Sequence, residues 1–175
     1  MTGLGIDGHW IGIHDADPRV VTLYRRHYSA NLKKDHSHGV GGQGAKLVLI
    51  TPECDALFIW VTHPAILPIP VNPDSRSLKT QKRRDVGGIQ AKKHSLQDGI
   101  LCSVFRNEGH ILSSELILEA EELAWQRWPG LRLFTYVWDS KVESVNPGYC
   151  FKVAGWKTCG RNADGRLTIL EKLPE

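Results

Sequence analysis

Residues 100–128 read ILCSVFRNEGHILSSELILEAEELAWQRW, and this stretch is the most informative about the fold. Its first six residues are mostly β-favouring and predict a strand. Further on, apolar residues recur at three- and four-residue spacing, which is typical of one helix face: Leu116, Ile117, Ala120, Leu123 and Ala124. A polar connection with one glycine, Arg106 to Ile111, lies between them. The stretch therefore predicts a strand, a loop and a helix, with Ser113 and Ser114 as helix caps.

Upstream, the chain begins with a strand and a helix. Residues 9–14 alternate loosely and predict a short first strand. Asp17-Pro18 predicts a helix start, with an acid at the N-cap and proline at the first helical position. Glycines in residues 31–44 predict a loop after that helix. The predicted helix has one apolar face, made of Val20, Leu23, Tyr24, His27 and Tyr28.

Two hairpins and a short helix complete the pattern. The β-rich runs 45–50 and 56–62 flank turn residues and predict one hairpin. Residues 131–137 predict a further strand. Asn146-Pro147 predicts the start of a short helix that continues through Ala154 and ends at Gly155. The final hairpin brackets Asp164-Gly165.

The bulk composition is that of an ordinary folded domain. Its 175 residues are 41% apolar and 23% charged, which is ordinary for one folded domain. There is no run of about 18 apolar residues that would span a membrane, and the first residues lack the pattern of a secretory signal. The four cysteines form no C-x-x-C pair, which disfavours a structural zinc site and a disulfide scaffold. We expect a single cytoplasmic domain of the α/β (α+β) class.

A basic segment interrupts this pattern. Residues 64–99 have early prolines, late glycines and little periodicity, so we expect a long inserted loop. Residues 76–93 alone carry a net charge of +6, against +3 for the whole chain. Phosphate-binding segments show such a local surplus of cations, and so do solvated loops without a partner. The residues expected to contact nucleic acid are Lys82, Arg83, Arg84, Lys92 and Lys93.

The order of predicted elements resembles the GNAT acyltransferase superfamily along nearly the whole chain, with residues 64–99 as an insertion. Residues 106–111 resemble the family's pyrophosphate loop, Q/R-x-x-G-x-G/A, in which backbone N–H groups at a helix N-terminus hold phosphate oxygens. Residues 146–156 are similar to the family's N…Y-x-x-x-G-F segment. The resemblance implies a mixed central sheet flanked by helices. It also implies an acyl-CoA cofactor, bound by Arg106, Asn107, Gly109 and His110.

Two positions depart from the family pattern. Ile111 stands where the loop ends in glycine or alanine. Phe151 stands where many members have a tyrosine that protonates the leaving thiolate. Because phenylalanine has no proton to donate, the general acid is either supplied elsewhere or missing.

Within the superfamily, the chain resembles the Mom-type DNA-modification proteins of bacteriophages. The resemblance rests on four stretches: His27-Tyr28-Ser29, Phe105-Arg106-Asn107 with Ser113-Ser114 beyond it, Thr135-Tyr136-Val137 with Asp139, and Gly148…Ala154-Gly155-Trp156. It implies an enzyme of the host cytoplasm that modifies the N6 amine of adenine in DNA. Acetyl-CoA is the implied donor, and iron is a further candidate cofactor.

Acyl transfer to an amine needs a neutral nucleophile, a polarised carbonyl and a route for protons. The resemblance implies that the reacting groups lie where the fourth and fifth strands separate. His27 is the expected base or ligand, and Tyr28 the expected proton donor. Asp139 is expected at the rim, after the fifth strand, together with Asn107 and Glu108. Ser114 is expected to bond cofactor or substrate.

Each of these residues also has a plain structural interpretation. His27 and Tyr28 share a face with core residues, the serines cap a helix in any case, and Asp139 starts a turn. His36 and His38, with His27 upstream, are a weaker candidate metal site. Two other functions stay open: an ordinary N-acetyltransferase of a small amine or protein, and a catalytically inactive GNAT-fold module that binds DNA.

Overall fold

The strand–loop–helix stretch and the hairpins assemble into one mixed sheet. A computed structural model describes residues 8–62, 99–142 and 144–175, which form an α+β domain. Its strands are β1 (Ile11–Ile13), β2 (Lys46–Ile50), β3 (Ala56–Thr62), β4 (Ile100–Asn107), β5 (Leu133–Trp138), β6 (Lys157–Arg161) and β7 (Leu167–Lys172). Its helices are α1 (Pro18–Arg25), α2 (Ser113–Arg127) and α3 (Tyr149–Val153). None of these helices is long and apolar enough to cross a membrane.

The sheet has an opening between its two parallel strands. The strand order is β1-β2-β3-β4-β5-β7-β6, and every neighbouring pair is antiparallel except β4 and β5. The parallel register joins only residues 100–102 to residues 133–135. Because β4 continues to Asn107 and β5 to Trp138, the two strands separate towards their carboxyl ends.

A β-bulge in β4 accompanies this separation. Ile59 pairs with Val104 and Trp60 pairs with Cys102, so Ser103 is an extra residue opposite β3. A bulge bends its strand and increases the local twist. The bulged residue directly follows Cys102, the last residue of β4 that pairs with β5.

Strand β3 shows that the sheet is covered on both faces. All seven of its residues are buried, and successive side chains point to opposite faces. Ile59 packs in a cluster with Val20 and Leu23 of α1. Phe58 and Trp60 pack in a second cluster with residues of α2 and α3. Helix α1 therefore covers one face of the sheet, and α2 and α3 cover the other.

Helix α1 begins as predicted but ends earlier. The Asp17 carboxylate caps it by accepting the Arg19 backbone N–H at 2.9 Å. After Arg25 the chain tightens into a turn, where the His27 N–H donates to the Tyr24 carbonyl at 2.9 Å. His27 and Tyr28 therefore lie beyond the helix, and their predicted place on its apolar face is wrong.

Helix α2 has the predicted apolar face but a different start. Leu112 is its N-cap residue and makes no side-chain cap hydrogen bond. Ser113 is the first helical residue, so the predicted caps Ser113 and Ser114 are wrong. The Ser113 hydroxyl instead accepts a hydrogen bond from the Asn107 amide at 3.0 Å.

The C-terminal elements follow the prediction apart from their boundaries. Strand β1 is shorter than predicted. Helix α3 begins at Tyr149 rather than at Asn146-Pro147, with Gly148 as its N-cap in a left-handed conformation of φ 73°. A Cβ at Gly148 would meet the Leu170 side chain, so the chain lies close to β7 there. The β6–β7 hairpin turns at Asp164-Gly165, as the sequence predicts.

A buried ion pair joins α2 to the C-terminal part of the sheet. Glu121 of α2 is 2% exposed, and its carboxylate accepts hydrogen bonds from the Trp156 indole and from Lys172 at 2.9 Å. Lys172 also donates to the Ala154 carbonyl at 2.6 Å. Burial raises the pKa of Glu121, and these hydrogen bonds partly offset that rise. The network fixes α2 against β7 and the turn after α3.

Candidate functional site

The separation of β4 from β5 leaves a cavity of about 180 Å³. The turn after α1, the open part of β4, the end of β5 and the start of α3 form its walls. Five of its side chains are aromatic rings: His27, Tyr28, Phe105, Tyr136 and Phe151. Among the described residues that line it, none is an aspartate, glutamate, lysine or arginine. The cavity is thus neutral and largely apolar.

His27 is a buried, neutral member of this wall. Its Nδ1 lies 2.7 Å from the Ser29 hydroxyl and accepts the Ser29 backbone N–H at 3.3 Å. Burial and, to a smaller extent, the Arg106 charge lower the pKa of His27 to about 4, although hydrogen bonding to the Phe105 backbone partly opposes them. At neutral pH the imidazole therefore carries no charge and is a weak base.

Tyr28 stands beside His27 and faces the opposite strand. The two rings are 4.3 Å apart between centroids, and Tyr28 is 38% exposed. Burial raises the pKa of Tyr28, while hydrogen bonding from the Trp138 backbone lowers it in part. Because His27 meets the backbone of β4 and Tyr28 meets that of β5, the pair bridges the opening.

The cavity also contains groups that sequence reasoning missed. Cys102 and Cys150 both line it, and burial raises the pKa of each thiol, so both are neutral at pH 7. The Thr135 hydroxyl donates to the Cys102 carbonyl at 2.9 Å. This hydrogen bond lies at the last position where β4 and β5 pair. The wide spacing of the cysteines carried no signal for this juxtaposition, because it depends on strand pairing. All four cysteines are free, as expected.

Arg106, the expected phosphate ligand, is already engaged by protein groups. Its guanidinium donates to Glu108 and to the Arg26 carbonyl, both at 2.5 Å. Arg26 also forms a two-pronged ion pair with Glu108, with both N···O distances at 2.7 Å. These contacts lower the pKa of Glu108 to about 2. The structure therefore holds Arg106 in a protein ion-pair network.

Gly109 lies against the Asp55 side chain of the same chain. A Cβ at this position would meet the Asp55 carboxylate. The Glu108 N–H donates to the Asp55 carbonyl at 2.7 Å, and the Gly109 N–H donates to the Asn107 amide oxygen at 2.9 Å. The glycine permits close approach, as predicted, but the group that approaches it is a carboxylate of the same chain.

The start of α2 retains backbone donors that suit a phosphate. Leu112 makes no side-chain cap hydrogen bond, and no acceptor among the described residues receives the N–H groups of Ser113 and Ser114. Such unpaired N–H groups at the positive end of a helix dipole favour anions. These two backbone N–H groups have no protein acceptor among the described residues, whereas the Arg106 side chain is engaged by Glu108 and the Arg26 carbonyl.

Three further predicted site residues do not line the cavity. Asp139 accepts the Thr168 hydroxyl at 2.8 Å and pairs with Arg161 at 3.1 Å, which directs it towards β6 and β7. Ser114 lies in the first turn of α2, and His110 is exposed in the loop before it. The structure brings His27 and Tyr28 together but does not bring these residues to them.

The histidines named as a weaker candidate metal site do not converge. His36 is 4% exposed, and its Nε2 lies 3.0 Å from the Asn31 carbonyl oxygen. Its ring packs edge-on against Tyr24 at 5.1 Å, and His38 is exposed. In the part of the chain that the structure describes, no group of three or more metal-binding side chains is present. These residues do not fit an iron site.

The expected nucleic-acid contacts at Lys82, Arg83, Arg84, Lys92 and Lys93 lie outside the described residues.

The depressed pKa of His27 predicts a pH dependence of stability. Its folded-state pKa of about 4 lies below the ordinary value of 6.5. Between these values the unfolded chain binds a proton that the folded chain does not, so the free energy of unfolding falls as pH falls. The contribution is about 3 kcal/mol, fully present above pH 6.5 and lost near pH 4.

Urea unfolding from pH 4.5 to 7.5 measures this contribution in the wild-type chain and in His27→Gln. In the variant, the free energy of unfolding should depend much less on pH across this range. Contributions from other titrating groups are the same in both chains and cancel in the comparison. Identical slopes would show that His27 is accessible to solvent protons in the folded state.

No protein-family model matches this chain, and no curated protein or solved structure matches it.

Proposed function

We propose that this protein is an acyl-CoA-dependent transferase of GNAT-like fold that modifies the N6 amine of adenine in DNA. The observation that carries the proposal is the neutral cavity at the opening between β4 and β5, which Tyr28 lines. The mixed strand order, with one parallel pair beside that opening, supports the GNAT-like assignment.

The lining of the cavity favours a nucleobase over a lysine as acceptor. A lysine ammonium entering this cavity would lose its water without meeting a carboxylate, which is costly. The exocyclic amine of adenine is neutral and belongs to a flat ring that can pack against aromatic walls. In a duplex the base must leave the stack to reach such a cavity.

The donor would be held at the start of α2. The Ser113 and Ser114 N–H groups would bind pyrophosphate oxygens of acyl-CoA, and its thioester would supply the acyl group. Arg106 would contribute the positive field of its network with Arg26 rather than a direct contact. Because Glu108 neutralises part of that field, backbone donors would carry most of the binding.

Tyr28 is the proposed proton donor in place of Phe151. Its raised pKa keeps the hydroxyl protonated at neutral pH. As the amine nitrogen bonds to the acyl carbon and the carbon–sulfur bond breaks, Tyr28 would protonate the leaving sulfur. The tyrosinate would then take up the proton that the acylated nitrogen releases, which restores the phenol. His27, a weak base with Nδ1 engaged by Ser29, would act as a positioning residue that holds the tyrosine ring.

A second candidate function is a catalytically inactive module that binds DNA. Two observations favour it. Arg106 is engaged by Glu108 and the Arg26 carbonyl. Phe151 is only 6% exposed and packs against Trp156 at 4.9 Å. Such a module would bind DNA without any response to CoA.

One experiment separates the candidates. The purified chain is incubated with acetyl-CoA and adenine-containing single-stranded DNA, and the DNA is digested for nucleoside mass spectrometry. We expect an acetylated deoxyadenosine, and acetyl-CoA should raise the melting temperature because it binds only the folded chain. A lysine peptide serves as the alternative acceptor. An acetylated peptide with unmodified DNA would establish an ordinary N-acetyltransferase. DNA binding with neither product nor thermal shift would establish the inactive module.

A further inference from the structure

The two helices that cover opposite faces of the sheet carry opposite net charge. From its N-cap to its C-cap, α1 has one acid, Asp17, and three arginines: Arg19, Arg25 and Arg26. Helix α2 has one arginine, Arg127, and four glutamates: Glu115, Glu119, Glu121 and Glu122. Arginines gathered along one helix are an electrostatic mark of a nucleic-acid surface. A polyanion is therefore attracted to the α1 face of the domain and repelled from the α2 face.

A cleft of about 240 Å³ lies against α1. One wall is the helix itself, where Arg19, Thr22 and Arg26 share a face at three- and four-residue spacing. The other wall includes Cys54, in the turn between β2 and β3, and its thiol interacts with Arg19. Two arginines therefore line one cleft on the positively charged face of the domain.

Carboxylates orient both arginines without using all of their hydrogen-bonding groups. Asp17 accepts from Nε and Nη2 of Arg19 at 2.9 and 3.0 Å, and Glu108 accepts from Nε and Nη2 of Arg26, both at 2.7 Å. Each carboxylate takes one edge of the planar guanidinium, so the Nη1 end stays outside the ion pair. The Arg19 and Arg26 side chains are 58% and 45% exposed. Both are thus held in place and accessible to an anion from solvent.

A third arginine links this cleft to the cavity. The Arg106 guanidinium donates to Glu108 and to the Arg26 carbonyl. Arg26, Glu108 and Arg106 therefore form a cluster of two positive charges and one negative charge. The Arg106 charge also acts on His27 and helps to lower its pKa. The cluster thus reaches the cleft through Arg26 and the cavity wall through His27.

We propose that the cleft along α1 binds backbone phosphates of the DNA strand whose base enters the cavity, through Arg19 and Arg26. A strand seated there keeps its anionic backbone on the positive face, while the uncharged base enters the uncharged cavity. Contacts to phosphates position a strand without reading its sequence. The proposal rests on the proposed function, since it takes DNA as the acceptor. The phosphates of acyl-CoA have the same chemistry, and the test separates the two sources.

The test measures fluorescence anisotropy of a labelled adenine-containing single strand, without CoA, across a range of salt concentrations. Replacing Arg19 and Arg26 together by glutamine should lower the log–log salt slope by about 1.4, or about 0.7 for each phosphate contact. At 0.1 M salt this change in slope corresponds to an affinity loss of about 25-fold. Glu108→Gln should instead tighten binding, because it removes the carboxylate that competes with phosphate for Arg26. An unchanged slope in the double variant would overturn the proposal.

Two variants on α2 are the matched controls. Arg127→Gln removes an exposed arginine from the negatively charged helix, and Glu122→Gln removes an exposed carboxylate from it. Arg127→Gln should leave affinity and slope unchanged, and Glu122→Gln should tighten binding less than Glu108→Gln does. Equal effects of the α1 and α2 variants would show that net charge alone governs binding, and the cleft would then have no special role.

Alkylation by iodoacetamide locates the bound strand in the wild-type chain, so this arm does not depend on the folding of any variant. Cys54 lines the cleft, whereas Cys159 is exposed on β6. A saturating amount of the oligonucleotide should slow the alkylation of Cys54 and leave that of Cys159 unchanged, as measured by peptide mass spectrometry. Protection of Cys54 by CoA but not by DNA would assign the cleft to the cofactor and overturn the proposal.

The binding assay and the product assay fail independently. If the double variant weakens DNA binding but wild-type protein forms no adenine product, the cleft stands and the proposed reaction fails. If wild-type protein forms product while the double variant changes neither affinity nor salt slope, the cleft proposal is wrong and the proposed reaction stands.

Discussion

Tyr28→Phe should lower the rate of adenine modification by about 100- to 10,000-fold, the usual contribution of a general acid or base. The substitution removes one hydroxyl and keeps the ring that packs against His27 at 4.3 Å. The free energy of unfolding should fall by only about 1 kcal/mol, because a single hydroxyl hydrogen bond contributes little to stability. Single-turnover product formation and urea unfolding of the same preparations separate the two effects.

Tyr24→Phe provides the matched control for this prediction. Tyr24 lies on α1, four residues before Tyr28, and its ring packs against His36 rather than in the cavity. The control should keep the wild-type rate. Tyr136→Phe tests the other phenol that lines the cavity. A full rate in Tyr28→Phe together with a large loss in Tyr136→Phe would assign the proton to Tyr136 and contradict the role proposed for Tyr28.

Glu121→Ala should lower the free energy of unfolding by about 3 kcal/mol, the lower end of the cost of breaking a buried ion pair. The variant leaves the Trp156 indole without its acceptor and leaves the Lys172 ammonium with the Ala154 carbonyl but no counter-charge. We expect the lower end of that range of costs because the Lys172 side chain is 19% exposed and can turn partly towards water. Chemical denaturation at neutral pH measures the loss.

Two variants check the origin of that loss. Glu122→Ala removes an exposed carboxylate from the next position of the same helix and should change stability by about 0.5 kcal/mol or less. Glu121→Ala combined with Lys172→Met should recover part of the stability, since no unpaired charge then remains. Equal losses in Glu121→Ala and Glu122→Ala would show that the ion pair contributes nothing beyond helix propensity.

The elements of the fold could be predicted because their signals are local. The Asp17-Pro18 start, the three- and four-residue spacing in α2 and the Asp164-Gly165 turn each act through a few neighbouring residues. Boundaries were less predictable. The spacing of His27 and Tyr28 continues the pattern of α1, although a tighter turn ends the helix at Arg25. Periodicity alone cannot distinguish a last helical turn from the turn that follows it.

The candidate site could be predicted only in part. His27 and Tyr28 were identified as a pair, and the structure places both in the cavity. The engagement of Arg106 was not predictable, because it depends on Glu108 meeting Arg26, 82 residues away in the chain. The position of Asp139 likewise depends on Thr168 of β7. In each case the partner comes from an element that only the packed sheet brings near.

By itself, the sequence determined that this chain forms strands and helices in an order that builds an α+β domain, and which of their faces are apolar. Backbone preferences and side-chain periodicity carry that information over short distances. Only the tertiary structure decided that β4 and β5 separate after Cys102 and Thr135, that two distant thiols share the resulting cavity, and that no charged side chain described there enters it. Those features follow from strand pairing across the sheet, where each position depends on residues far apart in the chain.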